Sequence, residues 1–178
     1  MAVLVEGISV IIRADSLLNK YSGGWEQFER TAPNNTLCAD GEIAAVAFMT
    51  PLDVEQFTQK LQELGLEYMR DGEAIDIAVA DQLHGILSKC SWLEFGRVPA
   101  NGTDQRVAAC RLAGGKSKEF VTPPDWTFAK SLSANSTFVP NERVKDEMRY
   151  LRREGAVDVY LCVATGKEMF VGRTSKAK

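Results

Sequence analysis

Residues 3–13 read Val-Leu-Val-Glu-Gly-Ile-Ser-Val-Ile-Ile-Arg. In an extended chain Leu4, Ile8, Val10 and Ile12 share one face while Val5 and Ile11 occupy the other, because successive side chains alternate across a strand. A strand apolar on both faces belongs in the middle of a sheet. Glu6, Gly7 and Ser9 interrupt the run and no basic residue precedes it, so the stretch Val3–Arg13 reads as a strand and not as a secretory leader.

Working outward, Asp15 is the expected N-cap of a helix carrying Leu17, Leu18 and Tyr21, broken by Ser22-Gly23-Gly24. A second helical turn follows, with Trp25 and Phe28 three apart. Asp40-Gly41 between Thr36–Cys38 and Glu42–Met49 marks a hairpin, since Gly accepts the positive φ of a two-residue turn. Thr50 as N-cap, Pro51 at the first helical position, the stripe Val54/Phe57/Leu61/Leu64 and Gly65 as stop predict a helix. A second hairpin is expected from Leu66–Arg70, Asp71-Gly72 and Ala74–Asp81, and a third from Trp92–Val98 and Arg106–Ala113.

The order strand, helix, strand, strand, helix, strand is the split βαβ, or ferredoxin-like, pattern, here extended by further antiparallel strands. The expected fold class is therefore α+β, a sheet covered by two helices on one side. Residues 1–113 form the expected core domain. Gly114–Pro140 holds Gly-Gly, Pro-Pro and several serines, yet also Phe120, Trp126, Phe128 and Phe138, so it reads as an arm packed on the core. For 141–178 the pattern predicts a helix from the Asn141 cap to Glu154, with Val144, Met148 and Leu151 on one stripe and Gly155 as stop, then a hairpin and a frayed basic tail.

Composition bounds the function. The 178 residues are 45% hydrophobic and 25% charged, enough for a folded domain burying about 70% of its chain surface. Twenty-one Lys+Arg against 24 Asp+Glu leave a net charge of −3, which offers no field for nucleic acid. The basic residues of 141–154 are interleaved with acidic ones, a solvated face and not a nucleic-acid stripe. No apolar run reaches membrane-spanning length. With no leader, Cys38, Cys90, Cys110 and Cys162 read as reduced thiols, a cytoplasmic location is expected, and the sequons at Asn34, Asn101 and Asn135 read as chance.

His84 is the single histidine, which excludes sites needing two imidazoles. An activated thiol can be drawn from Cys90, His84 and Asp81, beside the simpler reading of Cys90 as a small hydrophobe. Gly114-Gly115-Lys116-Ser117 resembles a phosphate loop but has Cys110 where the motif needs glycine and no following helix, so no nucleotide is expected. Without C-x-x-C pairs no zinc is expected, and Asp71, Glu73, Asp76 and Asp81 read as a solvated acidic face. No cofactor or metal is therefore expected.

Glu94 is a candidate acid, with Asp76 its partner if their strands pair. Arg97, Arg106 and Arg111 would make an anion site if they met on one face. Trp92, Trp126 and Phe128, with Trp25, are candidates for lining a pocket, although large aromatics also pin loops to cores. The expectation from these residues is a non-catalytic binding or protein-interaction protein. The alternative is a small enzyme or ligand sensor with a pocket between the sheet and the 114–140 arm, using Arg97, Arg111 or Glu94 as anchors. Self-association stays open.

Overall fold

A computed structural model describes residues 1–100, 104–116, 119–135, 148–154, 157–162 and 168–172. It corrects the opening strand: Ala2–Leu4 (β1) and Ile8–Arg13 (β2) belong to different sheets. The chain switches sheets at Glu6-Gly7. Gly7 has φ +54°, and a Cβ there would stand 2.5 Å from the Phe48 carbonyl oxygen, so both conformation and space require glycine.

After β2 come α1 (Ala14–Asn19), α2 (Gly24–Arg30), β3 (Cys38–Ala39), β4 (Ile43–Phe48) and α3 (Pro51–Glu63). Then follow β5 (Met69–Arg70), β6 (Glu73–Ala74), β7 (Ile77–Asp81) and β8 (Gly85–Ile86). The first sheet has five strands in the order β3-β4-β2-β7-β8, antiparallel throughout. β2 thus holds the interior position that its two apolar faces predict.

α3 begins as expected, with the Thr50 hydroxyl accepting from the Asp53 N–H. α1 starts earlier than its predicted cap: Arg13 is the N-cap, and Asp15 lies in the first turn, accepting from the Ser16 N–H. The second hairpin is also corrected. Asp71 and Gly72 take positive φ between β5 and β6, and Ile75 and Asp76 donate to the Tyr68 and Glu67 carbonyls. Beyond that point β7 leaves the hairpin and pairs with β2.

The five-stranded sheet is buried on both sides. Ile8, Val10, Ile12, Val46, Phe48, Ile77 and Val79 share a core with Leu17, Phe28, Val54, Phe57 and Leu61 of the helices. The opposite set, Ile11, Ile43, Ala45, Ala78 and Ala80, shares a second core with the other sheet. Large residues face the helices and mostly alanines face the sheet, so the two cores differ in the bulk each β-strand contributes.

The second sheet contains β9 (Leu93–Pro99), β10 (Arg106–Leu112) and β11 (Phe120–Val121) in the order β11-β1-β10-β9. The later strands therefore do not lengthen the first sheet; they form a separate one around β1. β11 pairs parallel with β1, and Trp126 and Phe128 pack against the second core. A short helix, α4 (Leu132–Asn135), follows.

The expected C-terminal helix is corrected over Met148–Glu154, which is strand β12; residues 141–147 lie outside the described residues. β12 pairs with β13 (Val157–Cys162), and β13 with β14 (Glu168–Gly172), in a three-stranded antiparallel sheet. Residues 148–154 carry good helix formers, but propensity is a weak prior and the backbone ladder with β13 overrides it. The turn of the expected C-terminal hairpin, residues 165–167, the basic tail and Phe138 lie outside the described residues. The structure is α+β, and among the described residues no helix is long and apolar enough to cross a membrane.

Candidate functional site

The sheet switch places a carboxylate in the interior. Gly7 N–H donates to the Gln82 side-chain oxygen at 2.9 Å, and Gln82 N–H returns a bond to the Gly7 carbonyl at 2.9 Å. Ser9, fully buried, accepts from the Glu6 N–H and donates to the Glu6 carbonyl. With its backbone held on both sides, Glu6 is only 9% exposed.

Three donors from the arm converge on Glu6 Oε1: Trp126 Nε1 at 3.0 Å, Ser133 Oγ at 2.7 Å and the Ser133 N–H at 3.4 Å. Glu6 makes no ion pair among the described residues, and its Oε2 accepts no hydrogen bond from them. A charge taken from water without a countercharge is costly. Glu6 lines a cavity of ≈ 190 Å³ whose other walls are Leu4, Ala45, Ala47, Asn35, Thr36, Pro123, Pro124 and Trp126. Small side chains of β4 leave the space, and the arm closes it. The Asn34–Thr36 rim is held rigidly: Asn34 Nδ2 donates to the Ala47 carbonyl at 2.8 Å, and the Ala47 N–H donates to Thr36 Oγ1 at 2.7 Å.

The predicted thiol site does not assemble. Asp81 accepts from the Leu83 and His84 amides and contacts His84 Nδ1 at 3.2 Å, all at the C-terminal end of β7. The chain then runs back along β7, and the Lys89 carbonyl accepts from Ala74 beyond its other end. At roughly 3.3 Å per residue the strand length keeps Cys90 from His84. Burial pushes the Cys90 thiol pKa up, the reverse of activation.

Asp76 and Asp81 are buried, which corrects the expected solvated acidic face. Asp76 accepts from Ser16 Oγ at 2.7 Å, the Glu67 N–H at 2.8 Å and Lys20 Nζ at 2.9 Å. Burial raises its pKa, but these donors outweigh burial and hold the carboxyl below its usual range. Among the described residues no group of three His, Cys, Asp or Glu is placed to hold a metal.

Glu94 stands directly opposite Arg111, whose Nε donates to it at 2.8 Å. That bond and the Gly114 N–H hold the Glu94 carboxyl low, so it suits an ion pair better than an acid catalyst. Its strand pairs with β10, not with the segment carrying Asp76. Arg97 stands opposite Ala108, an odd number of residues from Arg111, so Arg97 and Arg111 fall on opposite faces of the hairpin. Arg97 and Arg106 share a face, and Arg106 caps the Arg97 carbonyl while Arg97 donates to the Gln82 carbonyl at 3.0 Å. All three line the walls of a ≈ 320 Å³ cleft at this hairpin, together with Glu94.

Of the aromatic candidates, Trp126 reaches the Glu6 cavity. Phe128 packs on the core, and Trp92 donates to the Ala74 carbonyl at 3.0 Å with the Arg13 guanidinium 5.7 Å from its ring. Trp25 belongs to the helix-side core, tilted against Phe28. The sequence reading missed Glu6 and Ser133. The available signal was the Glu6-Gly7 interruption of an otherwise apolar run, a charged residue and a permissive one at a place where the sheet needs neither. No protein-family model, curated protein or solved structure matches the chain.

Proposed function

We propose that the protein is a non-catalytic binding protein whose ligand occupies the cavity between the five-stranded sheet and the 119–135 arm. The observation that carries this reading is the buried Glu6 carboxylate, held by arm donors on one oxygen and lining a ≈ 190 Å³ space with no countercharge among the described residues. A charged group bound to a formed cavity is the usual construction of a small-ligand site. The separation of Cys90 from the His84–Asp81 pair supports binding over catalysis. The strand order β3-β4-β2-β7, with α1, α2 and α3 sharing one core, supports reading the five-stranded sheet as an elaborated ferredoxin-like unit. We keep the cytoplasmic assignment as part of the proposal, on the four dispersed cysteines.

A metabolite panel in a thermal-shift assay tests this reading. A ligand at a hundred times its Kd adds about 2.7 kcal/mol, or roughly 5–10 °C in Tm for a chain of this size. At least one saturable shift is expected. No shift across metabolites, nucleotides and divalent metals, combined with recovery of a stoichiometric protein partner, would transfer the function to the second reading. That reading is a protein-interaction role at the cleft carrying Arg97, Arg106 and Arg111, where three guanidiniums against Glu94 favour an acidic partner.

A further inference from the structure

Resting on the sheet–arm cavity as the ligand site, we infer that the ligand is a small organic monocation, an alkylammonium or guanidinium group seated against Glu6. Among the described residues Glu6 is the one charged residue in the cavity wall, which gives that part of the wall a single negative charge. Its Oε1 is saturated by Trp126 and Ser133, which orient the carboxylate, while Oε2 has no donor among the described residues. An anionic ligand would meet uncompensated repulsion there, and a neutral one would leave the buried charge without a counterion.

The remaining wall favours an organic cation over a metal ion. A hard divalent cation needs six or more oxygen ligands, and the cavity offers one carboxylate beside Asn35 and Thr36. Leu4, Ala45, Ala47, Pro123 and Pro124 give apolar surface for methylene or methyl groups, and the Trp126 indole adds attraction for a cation within about 6 Å. At roughly 30 Å³ per water-sized group, the space suits a head of about six such groups. The carboxylate sets the charge of the ligand, and the hydrocarbon wall sets its form.

The test compares butylammonium, butyltrimethylammonium and butylguanidinium with butanol and butyrate, which share the chain and differ in charge. Binding to the full chain is read by thermal shift and calorimetry, with Glu6→Gln and Asn35→Trp as variants. Gln keeps an oxygen for Trp126 and Ser133, and Asn35 is exposed at the rim, so Trp there obstructs the cavity without entering the core. Saturable binding of a cation, absence of binding by butanol and butyrate, a loss of about tenfold or more in Glu6→Gln and abolition in Asn35→Trp are expected.

Equal binding of butanol or butyrate, or unchanged cation affinity in Glu6→Gln, would overturn the cation while leaving the cavity as a ligand site. Failure of all three cations, with another panel compound bound and blocked by Asn35→Trp, would do the same. Failure of the cations with every panel hit indifferent to Asn35→Trp would remove the cavity reading as well. If Glu6→Gln does not fold, the charge series on the native chain and on Asn35→Trp decides the outcome.

Discussion

Two buried carboxylates occupy opposite ends of this molecule's logic. Asp76 sits where the β5–β6 hairpin becomes β7, and it gathers the Ser16 hydroxyl and the Lys20 ammonium from α1 and its C-cap and the Glu67 amide from the segment after α3. Glu6 sits where β1 becomes β2 and, among the described residues, receives only neutral donors, all on one oxygen. Asp76 is 2% exposed and compensated by a cation; Glu6 is 9% exposed, without a countercharge among the described residues, and lines a cavity. A paired buried charge ties elements together, whereas an unpaired one beside a cavity is a place for something else to bind.

The largest expected effect breaks the Asp76 side. Asp76→Ala leaves Lys20, Ser16 and the Glu67 N–H without their acceptor and is expected to cost about 3–4 kcal/mol in denaturant unfolding. A loss below about 1 kcal/mol would mean that the Asp76 cluster is ornamental. Acid sharpens the same point. A carboxyl held below its usual pKa in the folded state contributes stability above the unfolded carboxylate range, and loses it as pH falls through the folded pKa. The stability gap between native protein and Asp76→Asn should therefore be constant near neutrality and narrow below about pH 4; a gap that widens on acidification would contradict the assignment.

Gly7→Ala comes next, at about 2 kcal/mol, because it forces a left-handed φ on alanine and drives its Cβ against the Phe48 carbonyl. Since Gly7 adjoins Glu6, this variant should also weaken cavity ligands, whereas Asp76→Asn should not, and binding measurements on the two variants separate the sites. Trp126→Phe removes one donor to Glu6 and should cost about 1 kcal/mol, visible as a small fall in denaturation midpoint. Glu6→Gln has the smallest effect, within about 0.5 kcal/mol, because the amide oxygen still accepts from the arm and the uncompensated charge disappears. Equal losses for Glu6→Gln and Asp76→Asn would erase the contrast between the two carboxylates.

Legibility followed range. The Thr50-Pro51 start of α3 and the Asp71-Gly72 turn depend on neighbours within a few residues, and both were readable. So was the interior place of β2, because two apolar faces admit few alternatives. The helix expected over 141–154 gave way to a strand over 148–154 because two apolar residues, Met148 and Leu151, are too few to enforce a helical period over so short a span, and pairing with β13 decides it. The face on which Arg111 lies relative to Arg97 depends on a register that residues 99–105 do not encode locally.

The site shows the same division. Sequence marked Trp126 as an aromatic needing an explanation and Glu6-Gly7 as an interruption, but these lie 120 residues apart and nothing local joins them. By itself the sequence determined the α+β class, the interior strand β2, helix α3 and the exclusion of multi-histidine chemistry, since each rests on composition, periodicity or local backbone preference. Only the tertiary structure decided that β1 and β2 part into two sheets, that Asp76 finds a cation and that Glu6 finds none among the described residues. Charge pairing and cavities arise from contacts between distant segments, and those contacts exist only once the chain has folded.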